Sequence, residues 1–253
     1  MTIRILGVVQ ARTTSTRLPG KVLEPIGDRA LIAWTVTALR SVPGINEVAL
    51  ATTTDPADDP LVAWAGSYGV PIHRGPVHDV LARFIGAARP FAPDLLIRQT
   101  ADNPFVDPTV ADRQIRLAIE ERLDYVGIAD WPIGIASEVA RFSALEEAHA
   151  ESQSPAEREH VMPFLYARPD RYRIGRLPAD HPPVHHRYTV DTEEDLALAK
   201  EMAARIGHPP PVTLSELEAI VRADPSLTAI NADVRQKPWW EYEEPIGDGE
   251  GGR

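Results

Sequence analysis

Three cations close together in an acidic chain are the first candidates for chemistry. Arg12, Arg17 and Lys21 fall within Gln10-Ala-Arg-Thr-Thr-Ser-Thr-Arg-Leu-Pro-Gly-Lys21, directly after an apolar run over residues 3–9. The run predicts a buried strand, and the polar stretch a long loop closed by Pro19-Gly20-Lys21. At the carboxyl end of a first strand in an α/β sheet, such a loop is where an anionic ligand sits. Backbone N–H groups of a tight loop cradle phosphate oxygens while Arg and Lys neutralise their charge. The same residues also fit a solvated basic loop, since basic side chains are mostly exposed.

Two carboxylates and two further segments join the list. Asp102 lies just beyond a fourth predicted strand, on the same sheet edge as the basic loop. A carboxylate there can hold Mg²⁺ across triphosphate oxygens, because hard divalent cations choose oxygen ligands. An Asp before Asn-Pro is also simply a good turn former. Asp191 ends Tyr188-Thr-Val-Asp191 and precedes a Thr192/Asp195 capping box, where acids favour a helix N-terminus. Arg74-Gly75 could approach an anionic ligand or merely lead into a helix. A lone His160 on a helix is more often a core or surface residue than a ligand.

The elements that would position these residues follow a regular order. A helix over 30–41 carries Leu31, Ile32, Val36 and Leu39 at helical spacing. A strand at 47–51, a helix from 58 to about 67, a strand at 71–73, a helix over 77–89 and a strand at 94–99 follow. This alternation predicts βαβ units and a mostly parallel, Rossmann-like sheet flanked by helices, with the loops released on one edge. Residues 1–110 read as a nucleotide-binding half.

The second half is less regular. A helix over 108–122 precedes a central strand at 124–127, and 131–139 reads as a loop entering a strand. A short helix at 143–150 takes Ser143 as its N-cap, and a helical stretch at 156–167 is kinked or restarted by Pro163. Strands at 172–177 and 186–190 are followed by helices at 193–206 and 213–223, the latter capped by Thr213 or Ser215. The expectation is one α/β domain over 1–245, with a smaller inserted lobe in its second half and a flexible tail at 246–253.

Composition sets outer bounds. A 43% hydrophobic share over 253 residues supports a large core. A net charge of −11 argues against general affinity for nucleic acid or anionic membranes. Without cysteine there is no disulfide, thiolate nucleophile or Cys-based metal site. His181, His185 and His186 lack zinc-site spacing. No run approaches the ~20 apolar residues of a membrane span, and no signal-peptide pattern is present, so a soluble, cytoplasmic protein is expected.

Ala11-Arg12 with Ser15-Thr-Arg-Leu-Pro-Gly-Lys21 resembles the N-terminal signature of the sugar cytidylyltransferases. That family includes the CMP-sialic acid and CMP-KDO synthetases and the cytidylyltransferase-type spore-coat polysaccharide biosynthesis proteins, the best match. Their usual loop reads Ala-Arg-Met-Gly-Ser-Thr-Arg-Leu-Pro-Gly-Lys, so Thr13 and Thr14 depart from it. Loss of a glycine at Thr14 implies an altered loop path or nucleotide affinity. Four more segments match in order: Arg74-Gly75 with the Asp79–Phe84 run, Ala101-Asp-Asn-Pro104, Arg158-Glu-His-Val161 with Pro163, and Val190-Asp-Thr-Glu-Glu-Asp-Leu196.

The resemblance implies a nucleotide-diphospho-sugar transferase-like fold and transfer of CMP from CTP to a sugar, sugar acid or sugar phosphate, with release of pyrophosphate. It implies Arg12, Arg17 and Lys21 as the catalytic cations and Asp102 and Asp191 as ligands of Mg²⁺. Nucleotide contacts would come from Gln10, Ala11, Arg12, Ser15, Gly20, Lys21, Thr52, Thr53, Arg74, Gly75 and Arg98. Glu138, Arg158 and His160 would meet the acceptor. Ile133 and Ala136 replace two Asp residues of the family's acceptor loop, which points to a different or less hydroxylated acceptor. Members are often homodimers. Loss of Lys21 or Asp102 is expected to abolish turnover with the fold intact. Two alternatives are a glycosyltransferase using a nucleotide-sugar, and a non-catalytic nucleotide-binding protein of the same fold.

Overall fold

The computed structural model describes residues 3–180 and 186–235. The expectations for His181, His185 and the tail at 246–253 lie outside these residues. In chain order the elements are β1 (Ile5–Gln10), β2 (Pro25–Ile26), β3 (Arg29–Ala30), α1 (Leu31–Arg40), β4 (Ile45–Thr53), α2 (Asp59–Tyr68), β5 (Ile72–Gly75), α3 (Val80–Ala88) and β6 (Leu95–Thr100). There follow α4 (Pro108–Glu120), β7 (Tyr125–Ala129), β8 (Glu138–Arg141), α5 (Phe142–Glu151), α6 (Pro155–His160), α7 (Pro163–Tyr166), β9 (Ile174–Pro178), α8 (Glu193–Ile206) and α9 (Leu214–Ala223).

Seven strands form one sheet in the order β5-β4-β1-β6-β8-β7-β9. Strand β1 pairs parallel with β4 and β6, and β4 parallel with β5, so their loops leave on one edge as the alternation predicted. Only β8 runs against its neighbours β6 and β7. Period-two alternation sends the two faces of β1 into different cores. Ile5 and Val9 pack with Ile32, Val36 and Leu39 of α1 and Ile115 of α4. Leu6 and Val8 pack on the other face with Phe84 of α3, Leu145 of α5 and Phe164 of α7.

Helix α1 shows where the stability lies. Ten residues are too few for a stable isolated helix, but Leu31, Ile32, Val36 and Leu39 are each fully buried. Such side chains contribute roughly 1.5–3 kcal/mol apiece when removed from water. Packing therefore decides the helix.

Three local expectations are corrected. The 124–127 strand, extended here as β7, is not central: β8 separates it from β6, and it lies next to the edge strand β9. Residues 186–190 form no strand, making only an isolated bridge between Arg187 and Ile133. Their backbone instead bonds loops, with Val190 N–H donating to the Asp102 carbonyl at 2.8 Å and Tyr188 N–H to Ile133 at 2.8 Å. Helix α5 begins before Ser143, at Phe142, with Arg141 in the cap position and no side-chain cap. The 156–167 stretch is restarted at Pro163 as expected, dividing into α6 and α7 where Val161 turns to a left-handed φ of 70°.

Candidate active site

The basic loop and both predicted carboxylates meet at the carboxyl edge of β1 and β6. The loop bends back on itself, with Gly20 N–H donating to the Thr13 carbonyl at 2.8 Å. Gly20 has φ 75°, a conformation glycine adopts without steric cost, and it delivers Lys21 inward. Lys21 is 6% exposed. Its ammonium has three protons and three acceptors: Val190 carbonyl at 2.7 Å, Asp191 Oδ1 at 2.8 Å and Asp102 Oδ2 at 2.9 Å. Burial alone would depress the Lys21 pKa, but the two carboxylates outweigh it and hold the ammonium above its ordinary 10.5.

Asp102 reaches this point because β6 ends at Thr100 and the next residue extends the ladder, Ala101 N–H donating to Gln10 at 2.9 Å. Asp191 arrives from the far end of the chain, just before the Thr192 cap of α8, whose capping box with Asp195 forms as predicted. Three cations surround Asp191: Lys21, Arg17 at 3.0 Å and Arg187 at 2.6 Å. Burial raises its pKa, yet Lys21, Arg17 and Arg187 together hold the carboxyl below its ordinary 3.8. Arg12 is exposed and makes no ion pair among the described residues.

Other predicted contacts are placed differently. Thr52 and Thr53 are fully buried, and their hydroxyls donate to Asp58. Arg74 braces the loop after β4, donating to the Thr53 carbonyl at 2.8 Å, the Asp55 carbonyl at 2.8 Å and Asp59 Oδ1 at 2.7 Å. Gly75 makes room for a neighbour inside the protein: a Cβ there would stand 2.9 Å from Arg83 Cγ. Ala11 is buried in the core, and Ser15 is half-buried on the loop.

A second polar cluster lies on the face of α3 and α5. Arg98 donates to Glu138 Oε2 at 2.5 Å, and Tyr125 O–H donates to Glu138 Oε1 at 2.6 Å. Burial and the facing Glu138 push the Tyr125 phenol well above its usual range. The Gln10 Oε1 and Arg98 Nε atoms, on one sheet face by register, are buried with no hydrogen-bond partner among the described residues. Half-buried His160 has its pKa lowered by burial and by Arg98, against the opposing pull of Glu159 and Glu138. Arg158 is engaged elsewhere, donating to Asp79 at 2.5 Å and to the Ser152 and His149 carbonyls.

Sequence reasoning missed two residues that stand behind Asp191. Arg187, 6% exposed, bridges Asp191 and Asp195, and Asn231 donates to Asp195 at 2.9 Å and the Arg187 carbonyl at 3.1 Å. The four-residue spacing of Arg187, Asp191 and Asp195 was the available signal, but reading 186–190 as a strand concealed it.

A parallel-sheet edge carrying a basic loop and two converging carboxylates is the layout of a nucleotidyltransferase. The chain belongs to the cytidylyltransferase family, whose pattern matches residues 6–224. It is 33% identical over 228 residues to the spore coat polysaccharide biosynthesis protein SpsF of Bacillus subtilis, covering 87% of this chain and 95% of that one. Among solved structures, a cytidylyltransferase from Leptospira borgpetersenii superposes with a TM-score of 0.82 at 25% identity, over 90% of this chain and 97% of that one. A CMP:2-keto-3-deoxy-manno-octonic acid synthetase solved with CTP shares the fold, with a TM-score of 0.63 at 17% identity over 80% and 99% of the two chains.

Proposed function

We propose that this protein transfers CMP from CTP to a small sugar-like acceptor and releases pyrophosphate. The observation that carries the reading is the buried Lys21 ammonium between Asp102 and Asp191, on a loop that also bears Arg12 and Arg17. An acceptor oxygen attacks the α-phosphorus in line, and the bond to the bridging oxygen of pyrophosphate breaks. No protein nucleophile is needed, and catalysis is positioning plus charge stabilisation. Lys21 and Arg17 meet the charge that develops on the transferring and leaving phosphates, and Arg12 holds the outer phosphates from the open side of the loop.

Asp102 and Asp191 suit a hard divalent cation, since their oxygens come from separate loops and converge on one point, where they now share Lys21. Among the described residues no third acid or histidine joins them, so a cation there would draw its other ligands from phosphate and water. Such a cation, Mg²⁺ in the proposal, would supply charge neutralisation and alignment of the phosphates. Arg98, Glu138 and His160 are proposed to face the acceptor, and the partnerless Gln10 Oε1 and Arg98 Nε suit a hydroxylated ligand.

The test is pyrophosphate release from CTP, UTP, GTP and ATP across a panel of sugars, sugar acids and sugar phosphates, with and without Mg²⁺. Metal-dependent release with CTP and one acceptor class is expected. Saturable CTP binding without release under any acceptor would overturn the transferase reading.

A further inference from the structure

The two threonines that set this loop apart from its relatives raise the question of what fixes its path. Neither Thr13 nor Thr14 adopts a positive φ, so the chain does not need glycine there. Thr13 is instead gripped from both sides. Its N–H donates to Asp58 Oδ1 at 2.7 Å, and its hydroxyl lies 2.8 Å from the same oxygen and 2.7 Å from the Ala57 carbonyl. Its carbonyl accepts the N–H of Gly20, the residue before Lys21.

Asp58 is fully buried and makes no ion pair among the described residues. Its second oxygen accepts from the Thr52 hydroxyl at 3.1 Å, the Thr53 N–H at 3.3 Å and the Thr53 hydroxyl. A desolvated carboxylate is costly unless its lone pairs are filled, and here the loop after β1 and the end of β4 fill them together. Burial raises the Asp58 pKa, but the N–H of Thr13 and the hydroxyls of Thr53, Thr13 and Thr52 bring it below the ordinary value.

We infer that Asp58 is a positioning residue for the nucleoside triphosphate, acting through Thr13 and Gly20 to set where Lys21 and its neighbouring cations stand. The inference rests on the proposed nucleotidyl transfer. Fully buried, Asp58 locks Thr13 to the sheet, and Thr13 locks the turn that delivers Lys21. Thr52 and Thr53 thereby serve the nucleotide indirectly, by orienting Asp58. In place of a glycine-permitted path, this loop has a latch.

The test compares Asp58→Asn, Thr13→Ala and Thr13→Ser in the full-length protein. Asparagine keeps the volume of Asp58 but places an N–H₂ group against donors. Calorimetric titration with CTP and Mg²⁺ and amide hydrogen exchange over residues 11–20 are read together. Asp58→Asn is expected to weaken CTP binding, and raise KM for CTP, by about tenfold or more, as expected when reacting groups lose alignment. It should leave KM for the acceptor unchanged and speed exchange in the loop. Thr13→Ala should show the same pattern more weakly, and Thr13→Ser should restore wild-type values.

If CTP affinity and loop exchange stay within twofold of wild type while the melting temperature falls, Asp58 is only structural and the inference is wrong. Should Asp58→Asn fail to fold, the Thr13→Ala and Thr13→Ser pair decides by the same criteria. Failure of the wild type to bind CTP would instead overturn the proposed function, while loop exchange would still report on the latch.

Discussion

Lys21 Nζ stands 2.8 Å from Asp191 Oδ1 across 170 residues of chain, and both side chains are largely withdrawn from water. The pair ties the first loop of the protein to the start of its α8 helix. It is as much a structural clasp as a proposed reactive group, and the consequences of removing Lys21 follow from that.

Lys21→Ala is expected to abolish turnover and also to destabilise the protein, by on the order of 3 kcal/mol, because it leaves buried carboxylates short of a partner. Arg17 and Arg187 still compensate Asp191, which keeps the loss at the lower end. Urea unfolding checks this. A fully stable Lys21→Ala protein would show that the clasp adds nothing and would restore the expectation of an intact fold.

Asp102 differs because its side chain is 23% exposed and its tie to Lys21 is one of three. Asp102→Ala should therefore abolish metal-dependent pyrophosphate release while shifting the unfolding midpoint little. An active Asp102→Ala enzyme would sink its proposed metal role.

Arg187→Leu is predicted to be more damaging to folding than either. It strands the Asp195 carboxylate, whose side chain is fully buried, and removes one cation from Asp191. Breaking such a buried pair costs about 3–5 kcal/mol. The expected result is a large loss of urea stability, with residual CTP affinity weakened through a displaced Asp191.

Stability should fall at both ends of the pH scale. Asp58 and Asp191 have depressed pKa values, so their contribution is present above pH 3.8 and is lost as pH falls through the lower folded values. Lys21 has a raised pKa, so its contribution is present below pH 10.5 and is lost as pH rises through its higher folded value. Urea midpoints measured from pH 2 to 12 should trace this plateau, and Asp58→Asn should flatten its acid limb.

Glu138→Gln, finally, tests the second cluster. It keeps an acceptor for Tyr125 and removes the charge that holds Arg98. KM for the acceptor should rise several-fold while KM for CTP stays near wild type. The opposite split would move Arg98 and Glu138 to the nucleotide side.

The first half of the fold was legible because each strand is a short apolar run and each helix carries its apolar residues at helical spacing, as at Leu31, Ile32, Val36 and Leu39. The converging residues Lys21, Asp102 and Asp191 were legible through motif wording. What escaped was long-range partnership. Nothing local marks Asp58 as the acceptor for Thr13, 45 residues away, or Asn231 as the partner of Asp195. Arg74 and Arg158 carry charges that suggest ligands, but carbonyls and acids close at hand occupy them. The 186–190 segment has a strand's apolar pattern, yet tertiary demand draws it over the sheet edge to deliver Asp191.

The distance along the chain between Lys21 and Asp191 also has a meaning during protein synthesis. A nascent polypeptide that has emerged only as far as Asp102 already carries the basic loop, but two of the ammonium's three acceptors, Asp191 and the Val190 carbonyl, are still untranslated. Chains fold from the N-terminus as they emerge, so the first half can organise early while this cluster, the proposed reactive centre, stays incomplete. A prematurely terminated product would display the loop's cations without the clasp that seats them. The complete cluster, and with it the proposed competence, is thereby reserved for molecules whose translation has passed Asp191.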